Sequence, residues 1–157
     1  MNELEYRAYF FGNMYFSQIQ QGIQSAHALT EMYNYYPNNS VLTEWGQNHK
    51  TMILLNGGSS VDLQRTFVGL ENVCSYLKLP CSQFHEDASV NFALTCIGVI
   101  VPSYIYDKKY YEYVDMGTYE ENKKYIISFN TERNIMDSEW FQKCTQLHEL
   151  LRSCRLA

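Results

Sequence analysis

Four polar residues in one segment, Gln20, Gln24, His27 and Glu31, stand at i, i+4, i+7 and i+11, which places them on one side of a helix. Amides and an imidazole offer both donors and acceptors, so this stripe suits hydrogen-bond recognition of a ligand. A solvated helix face with Gln20 acting as a cap is the competing reading. A second candidate is Asn56-Gly57-Gly58-Ser59-Ser60, which joins an apolar strand to a helix start. Free N–H groups and the helix dipole there favour an anion. It has neither the lysine of GxxxxGK[ST] nor a GxGxxG spacing, which favours a plain turn with a Ser N-cap. His85, Glu86 and Asp87 form a third group. Asp87 could serve as a general base or an orienting carboxylate, while acids in a hairpin turn are ordinarily solvated. Cys144 and His148, at i and i+4, lack a second matching pair, so a buried Cys and an exposed His are expected, with no metal or other cofactor.

The elements that must position these groups follow from periodicity. Leu4 to Phe11 reads as a strand ending at Gly12-Asn13. Ser17 with Gln20 predicts a capping box, and Ile19, Ile23, Ala26, Leu29 or Thr30, and Tyr33 recur at helical spacing to about Tyr35, before Pro37. Thr51 to Leu55 is a continuous apolar run, as in a strand buried on both faces. Leu63, Phe67, Leu70, Cys74 and Leu77 predict a second helix closing near Lys78. Ser82 to Glu86 and Phe92 to Val101 read as strands, and the short connection between them implies an antiparallel hairpin. Beyond Pro102, Tyr110 to Val114 and Tyr125 to Phe129 are predicted strands. Ser138 to about Arg155 is a predicted helix with Trp140, Cys144, Leu147, Leu151 and Cys154 on one face. The fold class is α/β: a mixed, mostly parallel sheet of about four strands with helices on both faces, plus a C-terminal Tyr-rich strand pair and helix.

Composition narrows the function. The 157 residues are 46% hydrophobic, 15% aromatic and only 18% charged, which excludes disorder. Twelve Lys plus Arg against 17 Asp plus Glu give a net charge of −5, which argues against indiscriminate affinity for a phosphate backbone. The five Cys, an odd number without a CxxC pair, read as free thiols. No apolar run is long enough to span a bilayer and the first residues lack signal-peptide character, so a cytoplasmic protein without membrane contact is expected. Seven of the 14 Tyr lie between Tyr104 and Tyr125, a surface suited to stacking or to an interface with a second copy.

The order of landmarks resembles the archaeal and eukaryotic type 2 peptidyl-tRNA hydrolases. Gln24, His27 and Ala28 match the A-Q-x-x-H-A half of that family's first-helix signature. Trp45-Gly46 precedes a strand at Met52 to Asn56 similar to K-I-V-L-K. Leu79-Pro80 comes before the turn, Asp87-Ala88 resembles its D-A-G turn, and Thr95-Cys96-Ile97-Gly98-Val99 resembles T-V-L-G-I-G. The resemblance covers residues 4 to 102, so residues 1–103 are expected to form the family-like domain and 104–157 an extension packed on it. It implies hydrolysis of the ester of peptidyl-tRNA, with Asp87, Thr95 and Gln20 at catalytic positions and Gln24, His27, Asn56 and Asn91 lining the ligand site.

The departures fall on the cations. The family's signature lysine stands at Gln20, its strand-end lysine at Asn56, and the threonine of its turn at Asn91, while Gly and Arg of that turn are Ser89 and Val90. Neither Gln nor Asn replaces a cation, and loss of one oxyanion-stabilising donor commonly costs on the order of 10² to 10³ in rate. Three functions are therefore expected alternatives. They are a divergent hydrolase acting on tRNA, a non-catalytic pocket for a nucleotide-like or other small polar ligand, and a homodimeric interaction module.

Overall fold

The computed structural model describes residues 4–111 and 138–157. Strand β1 is Tyr6–Gly12, followed by helix α1 Gln18–Tyr35, a short helix α2 Ser40–Glu44 continuing into a π-helical turn Trp45–His49, and β2 Met52–Asn56. Helix α3 Ser60–Leu77, β3 Cys81–His85 and β4 Leu94–Pro102 complete the sheet. Helix α4 Ser103–Tyr106 and helix α5 Ser138–Arg152 follow.

The four strands lie in the order β2-β1-β4-β3. β1 and β2 are parallel, with Ala8 opposite Met52, while β4 is antiparallel to both β1 and β3. The sheet is mixed, but the expectation that it is mostly parallel is corrected to one parallel pair beside two antiparallel ones. The cause is the position of β4: three strands run one way, and the hairpin partner running the other way is inserted between two of them.

Alternation along the strands divides the core between two faces. Ala8, Phe10, Cys96 and Ile100 point to the side covered by α1, where Ala28, Met32, Leu42 and Trp45 meet them. Phe11, Ile97, Val99 and Val101 point to the opposite side, against Leu63, Leu70 and Val73 of α3 and Trp140, Phe141, Cys144, Leu147 and Leu151 of α5. The apolar face of α5 is thus covered within the chain. Among the described residues, no helix is long and apolar enough to cross a membrane.

Three expectations change here. Helix α1 does not bury its apolar stripe: Ile19 is 79% and Ile23 50% exposed, whereas Gln21, Gln24, Ser25, Ala28 and Met32 are buried. Small residues decide the rotation. Ser25 and Ala28 let the helix approach the sheet closely enough for Ser25 Oγ to lie 3.7 Å from Cys96 Sγ and for Ser82 Oγ to donate to the Ala28 carbonyl at 2.6 Å. Strand β2 is an edge, not a strand buried on both faces; Met52 is 42% exposed. Its outer side is met by the chain's last residues. Asn56 N donates to Arg155 O at 2.7 Å, Ala157 N to Leu54 O at 2.9 Å, and Leu55 and Leu156 form an antiparallel bridge. Finally, Tyr110 closes a 3₁₀ turn Lys108–Tyr110 and is buried, so no strand starts there. Tyr111 is the residue that caps this turn; residues 112–114 of that expected strand and all of the one at 125–129 lie outside the described residues.

Candidate functional site

Two adjacent parallel strands whose following helices cover opposite faces create a crevice beyond their carboxyl ends, the usual ligand position in open α/β sheets. Here β1 leads to α1 on one face and β2 to α3 on the other. The crevice is laced shut. Gly57 N donates to Gly12 O and Met14 N to Gly58 O, both at 2.8 Å. Asn13, 3% exposed, donates through Nδ2 to Ser60 Oγ at 3.0 Å and to Leu94 O at 3.1 Å, while its Oδ1 accepts from Tyr15 N. Gly57 has no room for a side chain, since a Cβ there would press on Leu63 and come within 3.0 Å of Phe11 Cβ. The Gly-Gly-Ser-Ser segment is a turn with Ser59 as the N-cap of α3, in a reciprocal box with Asp62.

The polar groups that do converge lie on the α1 side, at the start of β4. Between Phe84/His85 of β3 and β4 the register shifts: Phe84 faces Cys96 and His85 faces Leu94, so Thr95 is the extra residue of a bulge. A bulge re-aims a side chain. The Thr95 hydroxyl, fully buried, donates to Gln24 Oε1 at 3.0 Å, with Phe84 O a second acceptor at 3.3 Å. The same oxygen lies 3.3 Å from His27 Nδ1, and Gln24 Nε2 donates to Glu86 Oε2 at 2.8 Å. This network orients the amide, and with Gln24 Oε1 as the acceptor it is the Nδ1–H of His27 that donates. The ring of His27 is held 4.6 Å from that of Phe84. No Lys or Arg pairs with Glu86 among the described residues, whose side-chain ion pairs are Arg7–Glu5 and Lys109–Asp107.

Of the expected site residues, Gln24, His27 and Thr95 are therefore brought together, and Glu86 joins them. The other four are held elsewhere by local bonds. Gln20 is exposed and completes the cap of α1: its N–H donates to Ser17 Oγ at 3.2 Å and its Oε1 accepts from Ser17 N at 3.0 Å. Asn56 is exposed and its Oδ1 accepts from Gly58 N at 3.0 Å. Asp87 caps the 3₁₀ turn Ala88–Val90, accepting from the N–H and hydroxyl of Ser89, which hold its carboxyl below the usual range. Asn91 ends that turn in the left-handed conformation, φ 55°. The capping assignment for Gln20 is testable. Ser17→Ala is expected to destabilise the protein by about 1 kcal/mol. Gln20→Ala is expected to speed amide exchange in the first turn of α1 while leaving ligand affinity unchanged.

Gln21 and Asn13 are not among the site residues expected from sequence. Gln21 is 7% exposed; its Nε2 donates to Phe16 O at 3.0 Å and its Oε1 sits over Gly12 without a hydrogen-bond donor. Ser60 belongs to the Asn56–Ser60 segment, whereas nothing in the spacing of Asn13 or Gln21 distinguishes them from solvated polar residues. His148 is another correction. It is buried rather than exposed, with Nδ1 2.7 Å from Ile105 O and its ring stacked on Tyr111 at 3.8 Å; burial lowers its pKa. No group of three or more metal-ligating side chains occurs among the described residues.

Neither a protein-family model nor a curated protein sequence matches this chain. The chain is an α/β domain in which Gln24, Thr95, Glu86 and His27 cluster, with no Lys or Arg paired to Glu86 among the described residues.

Proposed function

We propose that the protein is a non-catalytic, divergent member of the type 2 peptidyl-tRNA hydrolase fold that binds a small polar ligand bearing N–H donors, such as a nucleoside, at the Gln24–Glu86 cluster. The observation that carries this is the buried Gln24 amide, engaged by Thr95 on one end and Glu86 on the other. A carboxylate held by an amide accepts hydrogen bonds and repels phosphate. The ligand class that fits is therefore a base or sugar edge, and tRNA, whose phosphates need Lys and Arg, is disfavoured. In the same reading the chain works in the cytoplasm, and any homodimer uses a surface other than the apolar face of α5, which α3 already covers.

Calorimetric titration with the common nucleosides and their monophosphates tests the proposal. One nucleoside should bind more tightly than its monophosphate. Glu86→Gln should weaken that binding about tenfold or more, the worth of a hydrogen bond to a charged group. Asp87→Ala should leave it unchanged. Cleavage of peptidyl-tRNA by the wild type that is abolished in Asp87→Ala would establish the hydrolase instead, and absence of binding by every member of the panel would sink the reading.

A further inference from the structure

A cavity of about 370 Å³ opens between the end of α1, the last turn of α3 and the start of β3, and shares no lining residue with the polar cluster. Two thiols, Cys74 and Cys81, line it, with Tyr36, Glu71 and Lys78 among its walls. The backbone holds the thiols in place. Lys78 takes the left-handed conformation, φ 59°, and both its N–H and that of Leu79 donate to the Cys74 carbonyl. Pro80 O accepts from Ile100 N at 3.2 Å, and Cys81 then enters the sheet opposite Val99. The chain thus reverses between the two cysteines and returns Cys81 to Cys74.

The two thiols are chemically unequal. The hydrogen bond with Cys74 lowers the Cys81 thiol, outweighing burial and the nearby Glu71 charge, which both raise it, and Tyr36 acts in the same direction as Cys74. That bond and burial push the Cys74 thiol well up. Burial pushes the Cys96 thiol up to about 12, and its Ser25 partner offsets only part of that rise. A lowered thiol is the attacking one, and a neighbour within contact is placed to resolve the product. At the walls, Lys78 and Glu71 carry opposite charges, which complement the carboxylates and ammonium groups of a small zwitterionic disulfide.

We propose that this cavity is a thiol–disulfide exchange site for a low-molecular-weight disulfide of the glutathione type, with Cys81 as the attacking and Cys74 as the resolving residue. The Cys81 thiolate attacks one sulfur of the disulfide and expels one thiolate, giving a mixed disulfide. Cys74, losing its proton to solvent, attacks the Cys81 sulfur and expels the second. Two protein thiols are oxidised to one disulfide as the small disulfide is reduced to two thiols.

The test treats the reduced, full-length protein with oxidised glutathione, quenches by acid and alkylation, and maps the products by mass spectrometry. The wild type should lose two hydrogens and yield a peptide pair linked through Cys74 and Cys81. Cys74→Ser should retain one glutathionyl group on Cys81, and Cys81→Ser should slow incorporation at this pair about tenfold or more. Modification confined to the more exposed Cys154, or unchanged incorporation at Cys74 in Cys81→Ser, overturns the assignment. Differential alkylation of the wild type guards against a misfolded variant. Iodoacetamide should label Cys81 before Cys74, Cys96 and Cys144, the label should be blocked by prior oxidation and restored by a reductant, and equal or later labelling of Cys81 refutes the site.

Discussion

Gln24→Ala is expected to lower the stability of the protein by about 1–3 kcal/mol, because it strands a buried Thr95 hydroxyl and removes the donor to Glu86. The exposed edge of Glu86 recovers water, so most of the loss arises at Thr95, which is fully buried and keeps only the longer bond to Phe84 O. Thr95→Val tests that apportionment. Alone it deprives the Gln24 carbonyl of its closest donor and should also destabilise. Combined with Gln24→Ala it removes both partners, so the double variant should be more stable than the sum of the single losses implies, by about 0.5–3 kcal/mol. Chemical denaturation of the four proteins measures the cycle. Strictly additive losses would mean that the amide and hydroxyl do not act on each other in solution.

Phe10→Ala should cost about 3–5 kcal/mol, a large share of the roughly 5–15 kcal/mol that holds a domain of this kind together. Phe10 is fully buried at the centre of the α1-side core, and its ring occupies the space over Gly98 on the neighbouring strand. A Cβ at Gly98 would stand 2.7 and 2.8 Å from two ring carbons and 3.4 Å from Met32 Cε. Gly98→Ala is therefore expected to destabilise by about 1–3 kcal/mol through overpacking. In the Phe10→Ala background the ring is gone and the added methyl fills part of the cavity. There Gly98→Ala should be neutral or restoring, and a thermal melt showing the same loss in both backgrounds would place the clash elsewhere.

Much of the fold was legible because its signals are local. Ser17 with Gln20, Pro80 just beyond the helix end near Lys78, and the Pro37 breaker all mark boundaries by local chemistry. The rotation of α1 was not, because Ile19 and Ile23 outweigh Ser25 and Ala28 on any hydropathy count. What turned the helix was close approach to the sheet, a property of the facing strand. Nor could spacing reveal the bulge at Thr95, which arises from pairing between two strands and inverts which side a residue faces. The candidate site was partly legible for the same reason. Gln24 and His27 share a helix face, while Glu86 reached them only through the hairpin's geometry. Asp87, the more eye-catching acid, spends its acceptors on its own turn.

The antiparallel tail on β2 makes the molecule its own competitor for that sheet edge. Tethering gives Arg155–Ala157 an effective concentration on the order of millimolar, so a free extended segment must exceed that to displace it. The two backbone hydrogen bonds that make up this bridge are a weak latch, and local opening there needs far less free energy than unfolding the sheet. The edge is thus guarded against casual strand addition between chains, yet it stays reachable by any segment presented at comparable local density.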